Sequence, residues 1–262
     1  MAFDLNNFVI DRIIRGVALS QKDSSVLFSI NQIQNASLNC ASESTDALDA
    51  LGTPIATFFR SKSAEFSAEN ALFDMNLMAT QLGTTKKVAS ADEKVTVPAM
   101  ETFTVAEGGK CELKHTPKVA PTEIYALNGD STFGTKYTKD TAASATTFSI
   151  ADKTISLPTG VAAGTDMFVM YEYETDKAVE VVNSATQFPV GCKFVMEVLG
   201  CDVCDQTNLI YAYVIFNNAK LSPDFDWNIQ TDSTHPFSMK AQQDYCDKEK
   251  RLFSIVIPGD QE

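Results

Sequence analysis

Six cysteines and two histidines are the residues of this chain best suited to hold a metal or carry a nucleophile. Only Cys201-Asp202-Val203-Cys204 has a spacing with chemical meaning, because a C-x-x-C pair supplies half of a zinc site or a redox couple. The other half of a zinc site would have to come from Cys192, His235 or Cys246, and none of these forms a second paired motif. The pair lies between two apolar strand candidates, 192–200 and 210–216, which makes it the tip of a hairpin, with metal binding as the open alternative. His115 and His235 stand outside any Ser-His-Asp or Cys-His pattern. Asp224, Asp226 and Asp232 lack the tight oxygen-ligand loop and bidentate Glu of a calcium hand and read as a solvated strand face. No glycine-rich phosphate loop follows a strand. Asn35-Ala36-Ser37 matches a glycosylation acceptor without a secretory context beside it. The expectation is a protein that is not an enzyme and has no cofactor and no metal.

The elements that carry these residues are mainly extended. Val26, Phe28 and Ile30 alternate with polar neighbours, as in a half-buried strand. Residues 36–56 are small and polar and end near Gly52 and Pro54; they read as a long loop with one helical turn at 46–51, of a length that marks an interaction arm. A strand is expected over 57–66, then a helix over 68–82, capped by Ser67 and stopped at Gly83. Leu72, Met75, Met78, Ala79 and Leu82 share its core face, where the methionines pack rather than form a groove. Residues 84–97 read as a linker or ragged strand.

From Pro98 the texture changes to Thr, Ser, Ala and Lys, with short strands expected at 102–105, 123–127, 147–150, 154–157 and 167–174. That spacing predicts an inserted small β-sandwich or barrel over 98–175, between a first part (1–97) and a second part (176–262) of one main domain. Its aromatic residues Tyr125, Phe133, Tyr137 and Phe148 show no stacking cluster in sequence. Later strands are expected at 192–200, 210–216, 224–230, 237–241 and 252–257.

Composition narrows the function. Hydrophobic residues make up 44%, enough for a packed core. The N-terminal apolar runs are broken by Asp11, Arg12 and Arg15, which argues against a signal peptide or spanning helix and for folding in the cytoplasm of the producing cell. The cysteines are then reduced. Net charge is −13, spread along the chain and greatest in the last third. Such a charge opposes binding to the phosphate backbone but suits a surface past which DNA slides.

The stretch AYVIFNNAKLSPDFDWNIQ (212–230), followed by TDSTHPFSMKA (231–241) and a closing strand at 252–257, resembles the end of phage major tail, or tail tube, proteins. IATFFRSKSAEFSAENALFDMNLMATQLG (55–83) resembles their strand-then-helix part, and 98–175 resembles the β insertions of some members. The resemblance implies a tail-tube-like β-barrel or sandwich with one flanking helix. It implies hexameric rings stacked into a tube in the virion tail, with DNA passing and no membrane involved. The partners it implies are other copies, tail proteins at the tube ends and a tape measure protein in the lumen. The 36–56 segment would be the ring-stacking arm, through Ser42, Glu43, Ser44, Thr45, Asp46, Asp49 and Leu51. Glu172, Glu174, Asp224 and Asp226 would line an acidic lumen. The competing readings are another virion β protein (capsid decoration, tail terminator or baseplate) and a carbohydrate- or receptor-binding β-sandwich.

Overall fold

Ala64, Phe66, Ala68 and Asn70 are buried while Glu65 and Ser67 between them are exposed, a period of two that only an extended strand satisfies. The same rhythm recurs through most of the chain. The computed structural model describes residues 5, 7–245 and 248–259. In chain order the first elements are β1 (Phe8–Ser20), β2 (Val26–Ile30), β3 (Ile33–Leu48), β4 (Pro54–Asn70) and α1 (Met75–Gln81). Then come β5 (Lys87–Val88), β6 (Val95–Thr104), β7 (Lys110–Glu112), β8 (Glu123–Leu127), β9 (Phe133–Lys139), β10 (Thr147–Ala151), β11 (Thr154–Ser156), β12 (Asp166–Thr175) and β13 (Val179–Glu180). The chain closes with β14 (Gly191–Asp202), β15 (Asp205–Leu221), β16 (His235–Ala241) and β17 (Ser254–Val256). The protein is mainly β with one helix among the described residues.

Two compact units result: Met1–Lys86 with Val181–Glu262, and Lys87–Glu180. The second is wider at both ends than the expected 98–175, because β5 and β13 pair through Val88 and Val179, and β6 starts at Val95 inside the supposed linker.

In the first unit the strand order is β2-β1-β14-β15-β16-β4-β3, with β17 beside β15. Phe28, Phe66, Phe194, Phe216 and Phe237 interlock on its inner face, Phe66 lying 5.7 Å from Phe194 and 5.9 Å from Phe216 between ring centres. Burial of each such ring stabilises by roughly 1.5–3 kcal/mol. The sheet curls on itself. Ile33 of β3, at one end of the strand order, packs over Gly16 of β1 near the other, and only a residue without a side chain fits there.

The helix is shorter than 68–82. Residues 67–70 finish β4, because their alternating face is claimed by pairing with β3 and β16. The N-cap is Asp74 rather than Ser67, and its carboxylate accepts from the backbone N–H of Asn76 (2.9 Å) and Leu77 (2.7 Å). Gly83, with φ +71°, follows the C-cap as expected. The alternating stretch 224–230 forms no strand. Phe225 and Trp227 cover side chains instead, Trp227 stacking on Phe73 at 4.5 Å and Phe225 lying 6.2 Å from His235, while Ile229 is exposed.

The second unit is a seven-stranded sheet in the order β6-β12-β8-β9-β10-β11-β7, antiparallel except for β9 and β10. It folds over its own core, in which Ile124, Phe148, Ile155, Met167 and Val169 are fully buried.

A Cβ at Gly16 would lie 2.7 Å from the ring of Phe194, which is locked in the core. Gly16→Ala is therefore expected to lower unfolding free energy by about 1–3 kcal/mol, the usual cost of overpacking. Urea denaturation checks this; an unchanged midpoint would show that the sheet relaxes there.

Candidate assembly surface

The segment expected to be a loop is a long hairpin. β3 and β4 pair from Ile33 opposite Asn70 to Leu48 opposite Pro54, with irregularities between Gln34 and Ser37, at Ser42/Glu43 and at Ala47/Leu48. Its small polar residues lack an apolar alternation, so the strand is specified by its partner rather than by itself. No helical turn forms at 46–51: Asp46 is in β3, and the chain reverses over 49–53. There the Asp49 carboxylate accepts from the N–H groups of Leu51 and Thr53, both at 2.8 Å, and Gly52 adopts φ +84°.

Beyond Leu38 and Ala64 the hairpin leaves the core. Every residue of 39–48 and 54–63 is exposed except the half-buried Ala47. Ten residues of strand reach roughly 33 Å. Ser42, Glu43, Ser44, Thr45 and Asp46 all lie on β3 in this ribbon, and Asp49 and Leu51 lie in its turn, Leu51 being 91% exposed. Thr57 donates its hydroxyl to Asp46 at 2.7 Å, and Glu43 sits opposite Arg60.

The strongest residues of the surface escaped the sequence reading. Phe58 and Phe59 are 55% and 72% exposed and, as neighbours on one strand, face opposite sides of the ribbon. Ile55 adds a third exposed apolar side chain. The run Ile55-Ala-Thr-Phe-Phe was the available signal: a strand with no polar face. A two-stranded ribbon with both faces uncovered is marginal alone in water, and exposed apolar groups of this kind mark contact surfaces. β3 is also an edge strand. Residues 34–46 contain no Pro or Lys, the usual devices that block strand addition.

The acidic residues do not gather in one unit. Glu172 and Glu174 point outward from β12 in the second unit; Asp224 and Asp226 are exposed on the irregular segment of the first. Lys118 lies 2.8 Å from Glu174, and its hydrogen bond lowers the Glu174 pKa. Cys201 lies near the end of β14 and Cys204 in the turn between β14 and β15, a hairpin tip as expected, where the Asp202 carboxylate accepts from the Cys204 N–H at 2.8 Å. Both are free thiols, Cys201 buried and Cys204 exposed. Cys192 is in the core, and burial pushes its thiol up to about 11. Cys246 lies outside the described residues. Among those described, no three His, Cys, Asp or Glu residues converge as a metal site. Among the described residues no helix is long and apolar enough to cross a membrane.

The histidines are structural in their contacts. His115 stacks on Tyr173 with ring centres 3.8 Å apart. His235 is fully buried, accepting at Nδ1 from the Asp74 N–H (3.4 Å), with Nε2 2.8 Å from Gln81 Oε1. Gln81 donates its amide to the Pro236 carbonyl at 3.1 Å, so the neutral ring with its proton on Nε2 ties α1 to β16. Burial lowers the His235 pKa, and Asp74 opposes that in part.

A histidine whose folded pKa lies below its ordinary 6.5 stabilises fully above that value, and the contribution fades as pH falls through the folded pKa. Unfolding free energy is therefore expected to drop between pH 7.5 and pH 5.5, with a shallower slope in His235→Gln. Urea titrations at a series of pH values check this, and equal slopes in the two proteins would exclude it.

A family model described as the YomU/Tube protein family matches residues 8–253. No curated protein matches the chain.

Proposed function

The chain belongs to the YomU/Tube protein family, and from that premise we propose that it is the repeating subunit of a phage tail tube. Membership of a tube family points to a structural, self-associating virion component rather than an enzyme. In the finer reading, subunits form hexameric rings that stack into a tube, DNA passes down the lumen to the host, and the tube ends meet other tail proteins. One observation carries this: the β3–β4 ribbon exposes Phe58, Phe59 and Leu51, and none of the described residues covers them. A neighbouring ring supplies a cover in a repeating assembly, and a contact between different surfaces of identical subunits propagates along an open stack when its rotation does not close. The free edge of β3 is suited to strand addition in the same assembly.

Charge fits this role. A net −13 repels the DNA backbone, so a genome slides rather than sticks. Within this reading Asp224 and Asp226 are candidates for the lumen wall, while Glu172 and Glu174 share the outward face of β12 with Phe168 and Met170. An assembled ring with a neutral or basic lumen would remove that assignment.

Replacing residues 42–62 by Asn-Gly would join Ala41 to Ser63, which already face each other across the hairpin. The shortened chain is expected to stay folded and to form no tubes in negative-stain electron microscopy, whereas the full chain forms tubes with six-fold end views. Tubes from the shortened chain would overturn the role of the ribbon, and failure of the full chain to form any would overturn the tube reading.

A further inference from the structure

The second unit carries an apolar face that its own core does not use. Met167, Val169 and Tyr171 of β12 point inward and are buried, while Phe168 and Met170 point outward. A strand apolar on both sides in this way is the pattern of one covered on both sides. Register assembles the rest. Met170 lies opposite Met100 of β6, and Phe168 lies opposite Tyr125 of β8. Phe133 of β9 stacks on Tyr125 and meets Phe168 at a tilt, with ring centres 4.9 Å apart in each case. The aromatic cluster not visible in the sequence therefore exists, with Phe168 as its missing member, whereas Phe148 is in the core. Met100, Met170 and Phe133 are 67%, 52% and 58% exposed.

We propose that this outer face, centred on Met100, Phe133, Phe168 and Met170, is a contact surface for a second copy of the chain. Some polar groups at its margin are already engaged internally: Glu123 accepts from the Tyr125 hydroxyl (2.6 Å) and Lys136 (3.1 Å), and Asp166 accepts from Thr104 (2.6 Å). The carboxylates repel nucleic acid. Thioethers beside aromatic rings instead suit an apolar protein surface. The margin carries both signs, Lys118 and Lys136 with Glu123, Glu172 and Glu174, so it faces another acidic copy without one-signed repulsion. A patch on the order of a few hundred Å² is smaller than one side of a stable pair, so the contact forms when copies are already held close. The proposal rests on the tube reading only for what holds them close.

The test uses the full chain with the photo-crosslinker p-benzoylphenylalanine at position 133, irradiated dilute and after concentration to the assembled state. Covalent dimers are expected in the assembled state, with yield falling roughly tenfold in Met170→Glu, whose added charge is exposed in the free subunit and desolvated in the contact. Tubes without dimers, or dimers indifferent to Met170→Glu, overturn this proposal and leave the tube reading standing. Dimers without tubes that respond to Met170→Glu support the contact and overturn the tube reading; neither tubes nor dimers overturns both. Adducts solely with host cell-wall glycan would reassign the face and overturn the contact.

Discussion

Strand β4 is held by two different kinds of neighbour along its length, and much of the first unit depends on that division. In its inner half β16 pairs with Glu65 through Asn70 on one side and β3 pairs on the other, while Ala64, Phe66 and Ala68 enter the phenylalanine core. In its outer half only β3 remains. The inner half sets the register, since a slip of one residue would turn Phe66 out of the core. The outer half continues from that register through a one-residue offset, Ser42 facing Lys62 and Glu43 facing Arg60, and presents Phe58 and Phe59 to opposite sides. The ribbon is thus aimed by the core without being stabilised by it.

Side chains that announce their own environment were readable in the sequence. β8 was placed at its observed bounds because Ile124 is flanked by turns, and the C-x-x-C hairpin tip followed from the apolar strands on either side. The misreadings have specific causes. Leu72 and Met75 fit a helical spacing, yet Leu72 is 60% exposed and belongs to the turn before Asp74. Phe225 and Trp227 alternate as a strand would, but they cover Phe73 and His235, and no neighbouring strand offers them hydrogen bonds. The small polar residues of β3 carry no pattern to read, because what makes them a strand lies in β4.

The candidate surface was legible to a lesser degree. Ser42 through Leu51 were placed on the projecting element, but its conformation and its apolar members were missed. The cluster on the second unit shows why. Met100, Tyr125, Phe133 and Phe168 come from four strands, and only the pairing register brings them together. The buried hydrogen bonds behave alike. Glu101 accepts from the Tyr171 hydroxyl and the Lys114 N–H, and burial pushes the Tyr171 pKa up to about 12. Nothing adjacent in sequence announces that contact.

The short ladder of β5 and β13 has an evolutionary consequence. Val88 and Val179 face each other as paired strands, so the chain leaves and re-enters the second unit at points about one strand spacing apart. The intervening residues have their own core and sheet. To the polypeptide on either side, this large insertion spans no more distance than a hairpin turn. Such a cassette can be lost or exchanged while the positions of its two anchoring ends stay the same.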